Sequence, residues 1–384
     1  MTTYVIHASC LPWTVRKNPN KMHQVQVKLA ERSYPIFIGT RTLDGIATSL
    51  GELLIGWSHT VIICDEKVAQ TFGKTVKDYL NQTNKRTSML IVPSGEENKS
   101  IANLSQLWSQ MLEEKTDRKS VVVAIGGGVV GDLAGFAAAS FTRGLRFIQV
   151  PTTLLAMVDS SVGGKTGINL PAAKNMIGAF WQPHAVWIDT STLDSLPDRE
   201  FRSGLAEVVK YGVILDESFF DHLEEHADAI LARKHEHIQH IVRRCCELKA
   251  QVVSQDERET TGLRAILNYG HTFGHAIESK TSYGRFLHGE AISIGMTMAG
   301  QLAVRLELWQ KDCQERQTAL LRKFGLPTSF REVPSEQLVV AMQMDKKTEH
   351  GRLNLILPTR MGNVRTVSNC EYADILGAIY GNAT

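Results

Sequence analysis

Five short apolar runs separated by helical stretches constrain this chain most. They are Val61–Asp65, Ser88–Val92, Val121–Ile125, Phe147–Val150 and Ala185–Asp189. A strand that is apolar nearly throughout must be covered on both faces, as in a parallel sheet with helices on each side. The alternation runs from Gln24 to about Pro197, so this half is expected to be α/β. Beyond Leu196 the strand signal fades. Periodicity predicts helices over Glu200–Tyr211, Phe219–Ala232, Glu236–Ser254, Arg264–Glu278, Gly289–Glu307 and Gln314–Phe324. The last stops at Gly325-Leu326-Pro327, with glycine and proline in their usual stop positions. A short β hairpin is expected near Gly351–Pro358.

A chain of 384 residues accommodates two domains. The expected division is a Rossmann-like nucleotide-binding α/β domain over 22–196 and a mostly α-helical metal- and substrate-binding domain over 197–384. Residues 1–21 hold Pro12, Trp13 and Pro19 but no apolar core of a secretory signal, and are expected to lie outside the folded core. The alternating Met22–Leu29 begins the fold. A net charge of +2 without long basic runs gives no footprint for nucleic acid. No apolar run is long enough for a transmembrane helix. Six scattered cysteines with no Cys-x-x-Cys suit a reducing cytoplasm and offer no thiolate metal site.

The run Val121–Ile125 leads directly into Gly126-Gly127-Gly128-Val129-Val130-Gly131-Asp132 and an Ala-rich helix. Glycines there let a backbone approach a pyrophosphate, and a helix N-terminus supplies N–H groups. Tight helix–sheet packing would use the same residues. No acid ends the next strand, which runs into Pro151-Thr152-Thr153; the candidate ribose-binding acid is Asp65, so a variant strand order is expected. A second turn, Pro93-Ser94-Gly95-Glu96-Glu97-Asn98-Lys99, also follows a strand. Ser160–Thr166 is not a P-loop, because Asp159 stands where the leading glycine would fall. Lys165 remains a candidate phosphate contact.

Three histidines and two glutamates lie between Leu267 and Glu290. His271 and His275 are four apart and share a helical face, a spacing that suits a divalent metal, with His288 able to complete the set. On one continuous helix, Arg264, Asn268, His271 and His275 form a single polar stripe. Glu207 and Lys210 form an i, i+3 pair: a solvated ion pair, or a semi-buried carboxylate that needs a cation. Spacing leaves open which three of Glu207, His271, His275, His288 and Glu290 hold a metal.

Taken in order, these segments resemble the 3-dehydroquinate synthase family, from roughly Gln24 to Gly362. The resemblance rests on Gly126–Phe136, Pro151–Ala156, Val158–Gly167, Lys174–Gly178, Gly204–Gly212 and the histidine segment. Departures are Ala173 before Lys174-Asn175, and Ile292-Ser293 after the His288 segment. The resemblance implies a lyase of the shikimate route that turns 3-deoxy-D-arabino-heptulosonate 7-phosphate into 3-dehydroquinate and phosphate. Its steps would be transient oxidation at C5 by NAD, β-elimination of phosphate, re-reduction, ring opening and aldol closure. It implies NAD and a zinc or cobalt ion on Glu207, His271 and His288, which moves His275 to the substrate.

By the same resemblance, Asp159, Lys210 and Asn268 would hold substrate hydroxyls, and Arg264 and Lys249 the carboxylate. Phosphate would meet Lys165, Asn175, His275 and one of Lys346 and Lys347. Arg143 would reach a neighbouring subunit's phosphate site, implying a homodimer. NAD would be lined by Asp65, Ser94, Gly95, Glu96, Glu97, Asn98, Lys99, Gly128, Val129, Val130, Gly131, Asp132, Thr152, Thr153, Lys165, Lys174, Thr192, Leu193, Asp194 and Ser195. The competing readings are a sedoheptulose 7-phosphate cyclase, a metal-dependent polyol dehydrogenase, and a catalytically silent regulator. The pairing of Arg264 with Lys249 favours a substrate that bears a carboxylate.

Overall fold

A computed structural model describes residues 22–171, 173–281, 285–343, 348–349 and 352–382. Strands β1 (His23–Val27), β2 (Tyr34–Gly39), β3 (His59–Asp65), β4 (Arg86–Val92), β5 (Val121–Gly126) and β6 (Arg146–Pro151) are followed by β7 (Lys165–Leu170), β8 (Ala173–Phe180) and β9 (Ala185–Asp189). Seven form one sheet in the order β1-β2-β9-β6-β5-β3-β4. All neighbours in it are parallel except β1, which pairs antiparallel with β2 at the edge. Each of the five apolar runs lies in a strand of this sheet. β5 and β9 are buried at every residue.

The reason is alternation. In β3, Ile62 and Cys64 join a cluster on one face with Val123, Ile125 and Ile148. Val61 and Ile63 join the other face with Val122, Ala124 and Phe147. The helix α1 (Gly128–Ser140) packs on that second face through Leu133, Ala134, Ala137 and Ala138. β7 and β8 stand apart as an antiparallel hairpin.

The second half is built from α2 (Asp198–Leu215), α3 (Glu217–Glu225), α4 (His235–Gln255), α5 (His271–Lys280) and α6 (His288–Arg305), with further helices at Lys311–Lys323, Ser335–Gln343 and Tyr372–Asn382. Its core runs on into the sheet, since Val25, Ile36, Val186 and Ile188 share a cluster with Val208, Ile241 and Ile294. The hairpin expected near Gly351–Pro358 corresponds to two antiparallel pairs, Thr348–Glu349 with Arg352–Leu353 and Leu355–Arg360 with Asn363–Val367. Gly351 falls outside the described residues.

Two predicted helices are interrupted. The helix expected over Phe219–Ala232 breaks at His226 into Glu217–Glu225 and Ala227–Leu231. The one expected over Arg264–Glu278 is a 3₁₀ segment, Leu263–Asn268, followed by extended Tyr269 and left-handed Gly270 (φ +77°), before α5 begins at His271. The stripe joining Arg264, Asn268, His271 and His275 on one helix therefore does not exist. The break has a packing cause: a Cβ on Gly270 would stand 2.6 Å from Met296 Cγ and 2.8 Å from its backbone nitrogen.

α5 and α6 meet through glycine. A Cβ on Gly295 would lie 2.1 Å from the Gly270 carbonyl oxygen and 2.8 Å from the Gly274 nitrogen, both backbone atoms that cannot swing aside. Gly295→Ala is expected to cost about 1–3 kcal/mol or more through overpacking, read as a lower urea midpoint. Gly51→Ala is the control, since its nearest neighbour would be 3.9 Å away. That exposed-helix change is expected to be neutral or stabilising. Equal midpoints for both variants would contradict the close approach.

Candidate active site

The site begins with a charge in an unusual place. Glu207 sits in the middle of α2, fully buried, among Ala206, Val208 and Val209. Its Oε1 accepts no hydrogen bond from the described residues. A buried carboxylate without a cation is costly. Lys210, one turn on and 1% exposed, forms an ion pair with it. The pair read from sequence as either solvated or semi-buried is completely inside.

The charges continue. Lys210 Nζ is also 3.9 Å from Asp159 Oδ1. Lys249, from α4, donates to the same oxygen and to the Asp159 carbonyl, both at 2.7 Å. Tyr211 donates its hydroxyl to Asp159 Oδ1 at 2.9 Å. Asp159 lies on a π-helical turn, Ala156–Ser160, a bulge that aims one side chain inward. Burial opposes ionisation of Asp159, but the ammonium groups of Lys249 and Lys210, with hydrogen bonds from Lys249 and Tyr211, hold it well below the usual carboxylate range. Burial pushes the Tyr211 hydroxyl far up, so it stays a donor. Lys249 is lowered, chiefly by burial.

Two imidazoles face Glu207. His271 Nε2 is 3.6 Å and His288 Nε2 3.8 Å from its Oε1. Ligand atoms of these three residues all lie within 4.8 Å of one another. Each ring is oriented from behind. His271 Nδ1–H donates to the Tyr269 carbonyl at 3.0 Å, and His288 Nδ1 faces Glu278 Oε1 at 3.6 Å. Such outer partners turn Nε2 toward a metal. Burial works against the Glu278 carboxylate, yet contact with His288, helped by Lys174 and His275, holds it down to about 2. His275, Glu278 and His288 make an overlapping triad. The donor set favours the Glu207 triad, because His288 Nε2 points to Glu207 while its Nδ1 is directed at Glu278. Glu290 is not among them: it accepts from Leu287 N at 2.8 Å and pairs with Arg199.

Arg264 is buried, but its guanidinium is held by backbone oxygens, at 2.7 Å from Glu257 O and 3.3 Å from Gly163 O. The Gly163-Gly164 turn is the seat of that guanidinium. Gly163 has φ +99°, and a Cβ there would lie 2.5 Å from Arg264 Nη2. Asn268 is half-buried at the end of the 3₁₀ segment. The His275 ring is 5.4 Å from that of His271. Lys165, at the start of β7, pairs with Glu259 and is exposed. Lys174 is 3.4 Å from Glu278 Oε1. Asn175 (φ +55°) accepts from Lys99 Nζ, which also pairs with Asp132. Arg143 (φ +71°) is exposed beyond α1. Lys346 and Lys347 lie outside the described residues.

The nucleotide candidates collect at the carboxyl ends of the parallel strands. The chain passes from β3 to β4 on one side, then returns to place β5 on the other side of β3. That reversal opens a crevice between the ends of β3 and β5, where open α/β sheets bind ligands. Asp65 ends β3 and Gly126 ends β5; a Cβ on Gly126 would come 3.0 Å from Asp65 Cβ. Asp65 accepts from Ser94 Oγ at 2.5 Å, which ties in the turn after β4. In that turn Gly95 has φ +108° and Glu96–Asn98 form a 3₁₀ segment. Gly128, Val129, Val130 and Gly131 open α1, and no side chain caps its N-terminus. A Cβ on Gly128 would be 2.9 Å from Ser160 Oγ, and one on Gly127 3.2 Å from Thr153 Cγ2. Thr152 N donates to Gly126 O at 2.9 Å. Thr192–Ser195 follow β9, two strands away from β5. There Thr192 donates to Asp189 O, Leu193 is core, and its carbonyl accepts from Arg233; Asp194 and Ser195 are exposed.

Sequence reasoning assigned no part to Tyr211, Tyr269 or Glu278. Glu278 had a signal, standing one turn after His275 inside the histidine segment. Tyr211 follows Lys210 directly, but nothing in the spacing shows that its hydroxyl meets Asp159.

Two family models match the chain. 3-Dehydroquinate synthase N-terminal covers residues 89–203, and 3-dehydroquinate synthase C-terminal covers 204–348. A 3-dehydroquinate synthase of Rhodopirellula baltica is 51% identical over 363 residues, 93% of this chain and 97% of the relative. Among solved structures, 2-epi-5-epi-valiolone synthase from Streptomyces hygroscopicus subsp. jinggangensis, with NAD+ and Zn2+ bound, is similar with TM-score 0.85 and 26% identity, covering 92% of this chain and 98% of that one. 2-Deoxy-scyllo-inosose synthase, complexed with carbaglucose-6-phosphate, NAD+ and Co2+, has TM-score 0.83 and 26% identity, covering 94% of this chain and 100% of that one.

The Asp159 network sets a pH dependence. A depressed folded-state pKa adds stability that is full above the ordinary carboxylate value and is lost as pH falls toward the folded value. Asp159→Asn strands Lys249 and is expected to cost about 3 kcal/mol at pH 7. The gap to wild type should narrow below about pH 4. Denaturant midpoints at pH 7 and pH 3 read this. A gap independent of pH would contradict it.

Proposed function

The chain belongs to the 3-dehydroquinate synthase family, and we propose that it converts 3-deoxy-D-arabino-heptulosonate 7-phosphate to 3-dehydroquinate and phosphate with the residues placed above. The observation that carries this is the buried Glu207 carboxylate, facing His271 and His288 Nε2 at 3.6 and 3.8 Å. One carboxylate and two imidazoles leave coordination positions for substrate oxygens, as a catalytic metal requires. When bound, a zinc or cobalt ion would acidify a substrate hydroxyl there, and NAD would take a hydride and return it.

The chain's own groups divide the remaining work. Lys249, Lys210 and Tyr211 all face Asp159 Oδ1, so Oδ2 is left to accept from a substrate hydroxyl, and Asn268 is assigned to the same hydroxyls. Tyr211 keeps its proton and Asp159 stays anionic. Lys249 spends two donors on Asp159 and has a third for the substrate carboxylate. Arg264 shares that charge, seated on Gly163. Lys165, Asn175, His275 and one of Lys346 and Lys347 receive the phosphate. The crevice between Asp65 and the Gly126–Asp132 turn takes NAD, with Ser94–Lys99, Thr152, Thr153, Lys174 and Thr192–Ser195 as its further walls. The division into a nucleotide half over 22–196 and a metal and substrate half over 197–384 fits the sheet-then-helix order.

A homodimer belongs to the same reading. Leu170, Met176, Ile177 and Phe180 on the β7–β8 hairpin are 38–47% exposed, and such an apolar strand pair needs a cover. Arg143 would then reach the partner's phosphate site. A cytoplasmic setting suits thiols that, among the described residues, are all unbridged.

Phosphate release is the test, with and without NAD and chelator, beside sedoheptulose 7-phosphate as control. Release from the first substrate alone, requiring NAD, abolished by chelator and without accumulating NADH, is expected. Release from the second alone would overturn the reading. His275→Ala is expected to lower turnover while metal content stays near wild type; metal loss would place His275 in the coordination set. Arg264→Ala is expected to weaken substrate binding by about 1.5–3 kcal/mol, and unchanged affinity would remove Arg264 from the carboxylate site.

A further inference from the structure

A second group of histidines lies outside the active site. His222 is on α3, and His226 follows one turn later. His237 and His240 occupy the first turns of α4. The three elements form a compact helical hairpin, with Ala227–Leu231 as its bend. Ring centroids of His222 and His226 are 4.2 Å apart, those of His226 and His237 4.7 Å, and those of His222 and His240 4.2 Å. Ligand atoms of His222, His226 and His237 all lie within 4.8 Å of one another.

Four imidazoles at this spacing need an explanation, because surface helices rarely stack rings that can carry like charge. His222 Nε2 is buried and has no hydrogen-bond partner among the described residues, although it is a polar atom that normally takes one. His226 Nδ1–H donates to the His222 carbonyl at 3.1 Å. That contact fixes the tautomer and leaves the Nε2 lone pair free of the proton, the arrangement seen behind metal-bound imidazoles. Glu225 and Glu236 stand 3.8 and 3.7 Å from His226 and His237. The nearby cations are neutralised: Arg243 and Arg244 pair with Glu247, and Arg244 also with Asp216.

We propose that His222, His226 and His237 form a second divalent transition-metal site, separate from the catalytic one, that clamps α3 to α4. An all-imidazole donor set selects zinc, copper or nickel over magnesium or calcium. Metal–nitrogen bonds near 2.0–2.1 Å in a tetrahedron require nitrogens about 3.4 Å apart, so the rings close slightly on the ion. Water or His240 takes the fourth position. The clamp has a functional address. α4 also carries Lys249, which lies about 18 Å further along the helix at 1.5 Å per residue. Metal at the cluster would stiffen the helix that presents Lys249 to Asp159 without touching the reaction.

Metal content decides it. Chelator-stripped full-length protein is dialysed against micromolar zinc and the bound metal quantified. Wild type is expected to hold two zinc ions per chain and His226→Gln/His237→Gln one, with activity within twofold of wild type. One zinc in wild type, or two in the double variant, would overturn the proposal. A second readout does not depend on that variant's folding: His288→Ala apoprotein, with both active-site triads broken, is expected to melt several degrees higher when zinc is added. No shift would equally overturn the clamp.

Discussion

The structure depends on a negative charge kept where water cannot reach it. Glu207 stands in the packed centre of α2, and everything polar around it is arranged to make that tolerable. Lys210 neutralises it from the same helix. Asp159 holds Lys210 from the other side, and Lys249 and Tyr211 hold Asp159. Such a chain is a poor way to gain stability, because desolvating charges costs about as much as pairing them returns. It is a good way to pre-position donors and acceptors, since no member can move without exposing another member's charge. Glu207 still has Oε1 without a hydrogen bond among the described residues, and a metal would complete it.

The backbone around this chain is shaped by close approach. Gly270 turns left-handed so that α5 starts at His271, and Gly295 lets α6 come up against that turn. The two histidines facing Glu207 therefore sit at the N-terminal ends of two helices locked by glycine contacts. Gly163 does the same for Arg264. On the other side of the site, the reversal of strand order between β3 and β5 opens the crevice whose walls are Asp65 and the glycine turn. Sheet and helices thus meet at one place, with the π-helical turn of Asp159 between them.

The sheet was legible because burial on two faces leaves a run of apolar residues that no other element needs at that length. The helices were legible wherever one face is apolar. Tyr269-Gly270 defeated the reading, since helical periodicity continues across it while a tertiary contact with Met296 breaks the helix. His226 interrupts a second helix, departing from helical geometry between Glu225 and Ala227. The pairing of Glu207 with two histidines more than sixty positions downstream could not come from spacing, because only the packing of α2 against α6, and of α6 against α5, brings them together. Resemblance to a family supplied that set, and the geometry gives it a physical reason. The outer partner Tyr269 was invisible because a backbone carbonyl leaves no sequence mark, whereas Glu278 stood in the histidine segment without a sign of its role.

The most direct measurement is anomalous diffraction at the zinc absorption edge from crystals grown with zinc and NAD. The account predicts a peak bonded to Glu207, His271 Nε2 and His288 Nε2, with Glu278 behind His288 and not in contact with the ion. A peak bonded instead to His275 and Glu278, with Glu207 left to Lys210 alone, would contradict it.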